Sequence, residues 1–258
     1  MSLRENLICL WTLFSKESYR FLRIWGQTLV PPIMTSSLYF LIFGSFIGNR
    51  INGVSGYSLM EFMTPGLVMM AVVSSAYMNV SSSFYFSKFQ RNIDELLIAP
   101  CSNHVIIFGY ALAGVFRSVI VGILIFITAS SFTNLGIKHV ASFISFLFLT
   151  AFLFSLIGLI NGIFAKKFDD ISVIPTFVLT PLSYLGGIFY SIDQIPESWA
   201  LVTRLNPIFY LINGLRYSVL EFSDVKDTNF SALFLCGLIL GVYLLCYILL
   251  RKGIGIKS

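Results

Sequence analysis

Charge is scarce in this 258-residue chain: Asp, Glu, Lys and Arg make up 11% of it, against about 25% in soluble globular domains. With 57% hydrophobic residues, that scarcity excludes a water-facing surface of ordinary extent and leaves an integral membrane protein. Histidine is nearly absent, with two residues, His104 and His139, well separated in sequence. The four cysteines, Cys9, Cys101, Cys236 and Cys246, show no CxxC spacing. Neither a metal site nor a disulfide framework is suggested, and the cysteines read as packing residues. A GxxxxGK[ST] phosphate-binding loop is also missing; the terminal GIGIKS lacks the Gly-Lys pair and has no room for a following helix. The chain is therefore not expected to bind or hydrolyse ATP, nor to hold any other cofactor or metal itself. Lys/Arg clusters longer than a pair are absent too, so the net charge of +5 reads as membrane orientation rather than as nucleic-acid binding.

What remains is long apolar runs. About 20 apolar residues cross the hydrocarbon core as a helix, and windows free of Asp, Glu, Lys and Arg cover 24–49, 62–87, 118–137, 139–165, 171–192 and 228–250. The pattern predicts an all-α polytopic protein of six transmembrane helices in one domain. A further window, 96–116, is separated from the next only by Arg117, with no turn residues around it. Val105 to about Thr133 is therefore expected to form one long third helix. With the N-terminus inside, the inner segments carry Arg4, Lys16, Arg20, Arg23, Lys88, Arg91, Lys166, Lys167, Arg251, Lys252 and Lys257, and the outer ones Arg50, Lys138, Arg204, Arg216 and Lys226. That excess of basic residues predicts both termini in the cytoplasm.

Local patterns refine the picture. Leu3, Leu7, Leu10, Trp11, Phe14, Phe21, Leu22 and Trp25 recur at helical spacing, as in a helix lying in the inner interface. Between the second and third spans, KFQRNIDELLIAP (88–100) offers Asn92 and Glu95 as a capping box, with Pro100 limiting the helix. Phe89, Ile93, Leu96 and Leu97 would share its apolar face, leaving Arg91, Asp94 and Glu95 to solvent. Such a helix either rests on lipid or seats a partner. The outer segment 193–229 contains LNPIFYLINGLRY (205–217), apolar yet too short to span. It fits a re-entrant helical hairpin or an ordinary folded loop. Arg117 is placed near or within the inner leaflet, where it either snorkels to the interface or serves as a cavity or inner-gate charge. Pro31, Pro32, Pro175 and Pro181 should kink their helices, and Gly158–Gly162 and Gly237–Gly241 are GxxxG spacings that either mark helix contacts or mean nothing.

FGSFIG (43–48), PTFVLTPLSYLGGIFYSIDQIP (175–196) and LNPIFYLINGLRY, in that order, resemble the permease subunit of type-2 ATP-binding-cassette (ABC) transporters, the exporters of drugs, nodulation factors and polysaccharides. The resemblance spans about residues 21–251. It implies a half-transporter of the bacterial inner membrane that pairs as a homodimer within membrane lipid. A separate ATPase subunit, in two copies, would use ATP and Mg. The resemblance makes the segment after the second span a coupling helix to that ATPase, and that after the fifth an outer re-entrant hairpin containing Asn206, Pro207 and Arg216. An ion- or proton-coupled secondary transporter is the alternative, but no acidic residue lies inside a clear window. A membrane-embedded enzyme lacks any nucleophile–base or metal constellation. Nothing in the sequence names the cargo.

Overall fold

In lipid the backbone N–H and C=O groups of a long apolar run must bond to one another, which a helix achieves within a single segment. The computed structural model describes residues 3–47, 53–54, 56–99, 101–225 and 228–255, and its regular structure there is helical. In chain order the α-helices are α1 (Leu3–Arg23), α2 (Trp25–Phe40), α3 (Leu59–Phe89), α4 (Asn92–Ile98), α5 (Asn103–Ser130), α6 (Val140–Phe164), α7 (Asp170–Ile174), α8 (Thr180–Tyr184), α9 (Glu197–Leu205), α10 (Pro207–Leu220) and α11 (Thr228–Lys252). Among the described residues four of these, α3, α5, α6 and α11, are long and apolar enough to cross a bilayer.

At two of the six windows where a transmembrane helix was expected, the helix is not one regular α-helix. The first window forms α2, 16 residues long, which winds on as a π-helix over Leu41–Ile47. The fifth is broken into α7, a π-helical stretch over Pro175–Leu179, and α8. Proline explains the second break: Pro175 opens the π-helical stretch and Pro181 lies in the first turn of α8, where a missing N–H costs least. The Pro175 carbonyl accepts both the Thr180 backbone N–H and, at 2.9 Å, the Thr180 hydroxyl. By contrast, α2 passes through Pro31 and Pro32 without a break. The long third helix is as expected, since α5 runs unbroken past Arg117.

At the centre lies α3. Ser58 and Glu61 form its capping box, with Glu61 Oε2 accepting from the Ser58 amide at 3.0 Å, so the Ser-x-x-Glu signature stands here and was legible in SLME. Its 31 residues extend about 46 Å at 1.5 Å per residue, longer than the roughly 30 Å hydrocarbon core. Close contact with α6 is set by glycine. A Cβ on Gly158 would lie 2.5 Å from the Tyr77 carbonyl oxygen, and one on Gly162 3.0 Å from the Phe84 Cβ. That GxxxG pair is a packing seam. A Cβ on Gly237 or Gly241 would meet nothing within 4 Å, so the second pair makes no such contact among the described residues.

Helix α1 packs along α5. Leu13 and Phe21 are buried, while Leu7, Trp11 and Leu22 of the anticipated stripe stay exposed. The reading of the cysteines is corrected for one pair: Cys9 and Cys101 are disulfide-bonded, with Cα atoms 6.6 Å apart across a sequence separation of 92. Spacing rules detect only cysteines near one another in sequence, and this pair meets through α1–α5 packing. Cys246 is a packing residue as expected, buried with its thiol toward the Leu156 carbonyl at 3.5 Å.

Two outcomes check this packing. Gly158→Leu should lower the thermal stability of the purified chain by about 2 kcal/mol or more through overpacking, while Gly237→Leu leaves it unchanged. With Cys236 and Cys246 replaced by serine, mild oxidant should produce a faster-migrating, reductant-sensitive monomer on gels, and Cys101→Ser should abolish it.

Candidate functional site

The short helix after α3 starts differently from the sequence reading. Arg91, at φ 61°, is its N-cap in the left-handed region, with no capping side chain. The expected Asn92–Glu95 capping box does not form; the Asn92 amide donates to Gln90 Oε1 at 3.1 Å instead. That left-handed residue also resets the helical phase. Phe89 ends α3 and is 71% exposed, whereas Ile93 on α4 is buried in the core and Leu96 packs partly against it. The single apolar face expected for Phe89, Ile93 and Leu96 is thus divided into an inward anchor and an outward ring. Ile98 is 85% exposed, and Arg91 and Glu95 are also exposed. The side chains of Asp94 and Leu97, and Pro100, lie outside the described residues.

Lys88 fixes the base of this helix. Its ammonium donates to the carbonyls of Ile163 and Ala165, each at 2.7 Å, and to that of Gly255 at 3.4 Å. A cation on the last carbonyls of α6 satisfies acceptors that have no intrahelical partner. The same bonds gather the ends of α3, α6 and the segment after α11 at one end of the bundle.

A second group of polar side chains surrounds Asn79. Its Oδ1 accepts from Arg117 at 3.2 Å and from Arg20 at 3.1 Å. Arg20 also pairs with Glu17 at 3.1 Å, and Glu17 accepts from the Ser83 hydroxyl. Arg117 lies about 21 Å along α5 from Asn103 at 1.5 Å per residue. It lines a groove of about 390 Å³ between α2, α3 and α5 with Thr35, Ser36, Ser74 and Ser75.

The third constellation lies in the segment after α8. Helices α9 and α10 are joined at Asn206, whose Oδ1 caps α10 by accepting from the Ile208 amide at 3.0 Å, while its amide donates to the Leu182 carbonyl at 2.6 Å. Pro207 occupies the first helical position, where a missing N–H is harmless. Arg216, counted among the outer charges, is fully buried and paired at 3.2 Å with Asp224, whose side chain is also 0% exposed. It donates further to the Gly187 carbonyl at 2.6 Å and lies 3.8 Å over the Phe62 ring. Asp224 in turn accepts from the Ser191 hydroxyl and the Ile192 amide. This pair ties four separate stretches together. Sequence reasoning missed Asp224, because no periodicity links a loop carboxylate to a helical arginine. At the same end, Lys138 donates to Glu221 at 2.9 Å, which holds the Glu221 carboxyl below its ordinary range.

Breaking one half of a buried ion pair leaves the other charge uncompensated. Arg216→Leu should therefore cost about 3–5 kcal/mol in thermal unfolding of the purified chain. The double change Arg216→Met with Asp224→Leu should recover much of that loss.

The ABC-2 type transporter family matches residues 9–220 of the chain. Inner membrane transport permease YadH of Escherichia coli (strain K12) is 51% identical over 252 residues, covering 97% of this chain and 98% of the relative. Nodulation protein J of Bradyrhizobium diazoefficiens is 25% identical over 194 residues, 75% of this chain and 72% of the relative. Nodulation protein J of Sinorhizobium fredii is 22% identical over 194 residues with the same coverage.

Proposed function

The chain belongs to the ABC-2 type transporter family, and from that membership we propose that it is the membrane-spanning permease of an ABC exporter in a bacterial inner membrane. Two copies form the translocation path, and a separate ATPase subunit in two copies binds ATP and Mg and drives it. Six crossings result when the composite segments Trp25–Ile47 and Asp170–Tyr184 are added to the four long helices. Both termini are cytoplasmic, α1 lies in the inner interface, and the α9–α10 hairpin dips into the outer leaflet. The meeting of the α3 and α6 ends with the segment after α11, around Lys88, supports this orientation. It puts Lys88, Arg91, Lys166, Lys167, Arg251 and Lys252 at one end, which the positive-inside bias makes cytoplasmic.

The observation that carries the reading is the divided face of α4. Ile93 anchors it in the permease core while Phe89 and Ile98 stand exposed beside Arg91 and Glu95. A linker resting on lipid would turn its apolar residues toward the bilayer. Exposed apolar residues on both sides of exposed Arg91 and Glu95 in sequence, rooted through Ile93, suit a docking knob that passes ATPase closure to α3 as a nearly rigid push. Those charges then set register and partner choice more than affinity.

Phe89→Asp together with Ile98→Asp should leave membrane abundance unchanged and abolish co-purification with the partner ATPase subunit, and with it stimulated hydrolysis. Ile93→Asp buries a charge and should lower abundance instead. Retained association and coupling in the double variant would make α4 a passive linker.

A further inference from the structure

The Arg117 groove has a charge imbalance. Two guanidinium groups, Arg20 and Arg117, share the Asn79 carbonyl oxygen, and Glu17 is taken by Arg20. Among the described residues no carboxylate lies within ion-pair distance of Arg117. One positive charge is thus left over, deep in the helix bundle, where an unpaired cation is strongly disfavoured. Two unfilled hydrogen-bonding positions lie beside it. The Arg117 Nε is buried without a partner, and so is the hydroxyl of Ser75, a residue 5% exposed that lines the same groove. The lining is mixed, with Ser74, Ser75 and Thr35 accompanied by the apolar Leu67, Met70 and Ala71. At about 390 Å³ the groove is within the size of small-ligand sites, which pair apolar walls with a few placed polar groups.

We infer that this groove binds the anionic headgroup, a phosphate, sulfate or carboxylate, of an amphiphile whose apolar tail lies along α3. Arg117 supplies the charge, with a planar guanidinium suited to two-point contact with oxyanions. Ser75 donates a further hydrogen bond, and Asn79 holds Arg117 in place without cancelling its charge. The same chemistry is offered by a resident anionic phospholipid and by an exported anionic amphiphile. The second source rests on the exporter reading; the anion site itself does not.

The test uses the purified full-length chain in a neutral detergent, with dodecyl phosphate as probe and binding read by calorimetry. Arg117→Gln should weaken binding at least tenfold and Arg117→Lys by a few-fold, and dodecanol and dodecyltrimethylammonium should fail to compete. Ser75→Leu, which fills the groove and leaves the charge in place, should also abolish binding. Unchanged affinity in Arg117→Gln or in Ser75→Leu, or equal competition by dodecanol, would overturn the site. Displacement of the probe by phosphatidylglycerol identifies a lipid site. Resistance to it, with probe-stimulated hydrolysis in the complex with the ATPase, identifies a cargo site. Both of those outcomes support an anion site. Loss of ATPase coupling with probe binding intact counts against the exporter reading alone.

Discussion

The close approach of α3 and α6 is the constraint on which the remaining architecture depends. Lipid offers no hydrophobic gain for bringing two apolar helices together, so contact must come from backbone proximity and dispersion. Gly158 and Gly162 permit it, by leaving room for the Tyr77 carbonyl and the Phe84 side chain. With α6 seated in this way, α3 becomes a buried spine that touches α2, α4, α5, α7, α8 and α10. Every polar constellation described above is built on it.

Those constellations are arranged by depth along α3. Near its first turn, Phe62 carries the Arg216 guanidinium on its ring, so the buried ion pair and helix α10 are referenced to the spine. Farther along, Asn79 gathers Arg20 and Arg117. At its last turn, Lys88 grips the end of α6 and positions α4. In the proposed exporter, a displacement of α4 by the ATPase would act on the same helix that shapes the Arg117 groove and supports the outer hairpin. In that proposal the route from the ATPase to the groove would be a single helix, through packing and not through a chain of separate side-chain switches.

The groove also differs from the hairpin in how it treats charge. Arg216 meets a carboxylate and is neutralised within the fold, so its role is structural, holding the turn at Gly187 and the Ser191 and Asp224 segments in register. Arg117 meets an amide, which orients it and leaves its charge available. Two arginines, both buried in whole or in part, therefore carry opposite expectations for ligands. The difference lies entirely in the partner that the tertiary structure supplies.

The sequence by itself determined what depends on composition and local chemistry. Sparse charge and long apolar windows imply a polytopic helical chain, α5 continues through Arg117 because no breaker surrounds it, and Asn206-Pro207 opens α10 by capping chemistry alone. The proline breaks at Pro175 and Pro181 and the α6 glycine spacing were also legible, since each acts within a turn or two of its own position. Other features were decided only by packing between distant segments. Asp224 as the partner of Arg216, the Cys9–Cys101 link and the placement of Arg117 against Asn79 join residues that no period relates. The turning of Ile93 away from Phe89 followed from one left-handed residue, Arg91, an unusual backbone state for a side chain of that size. Periodicity presumes one continuous helical phase, and only the tertiary structure decided where that phase was reset.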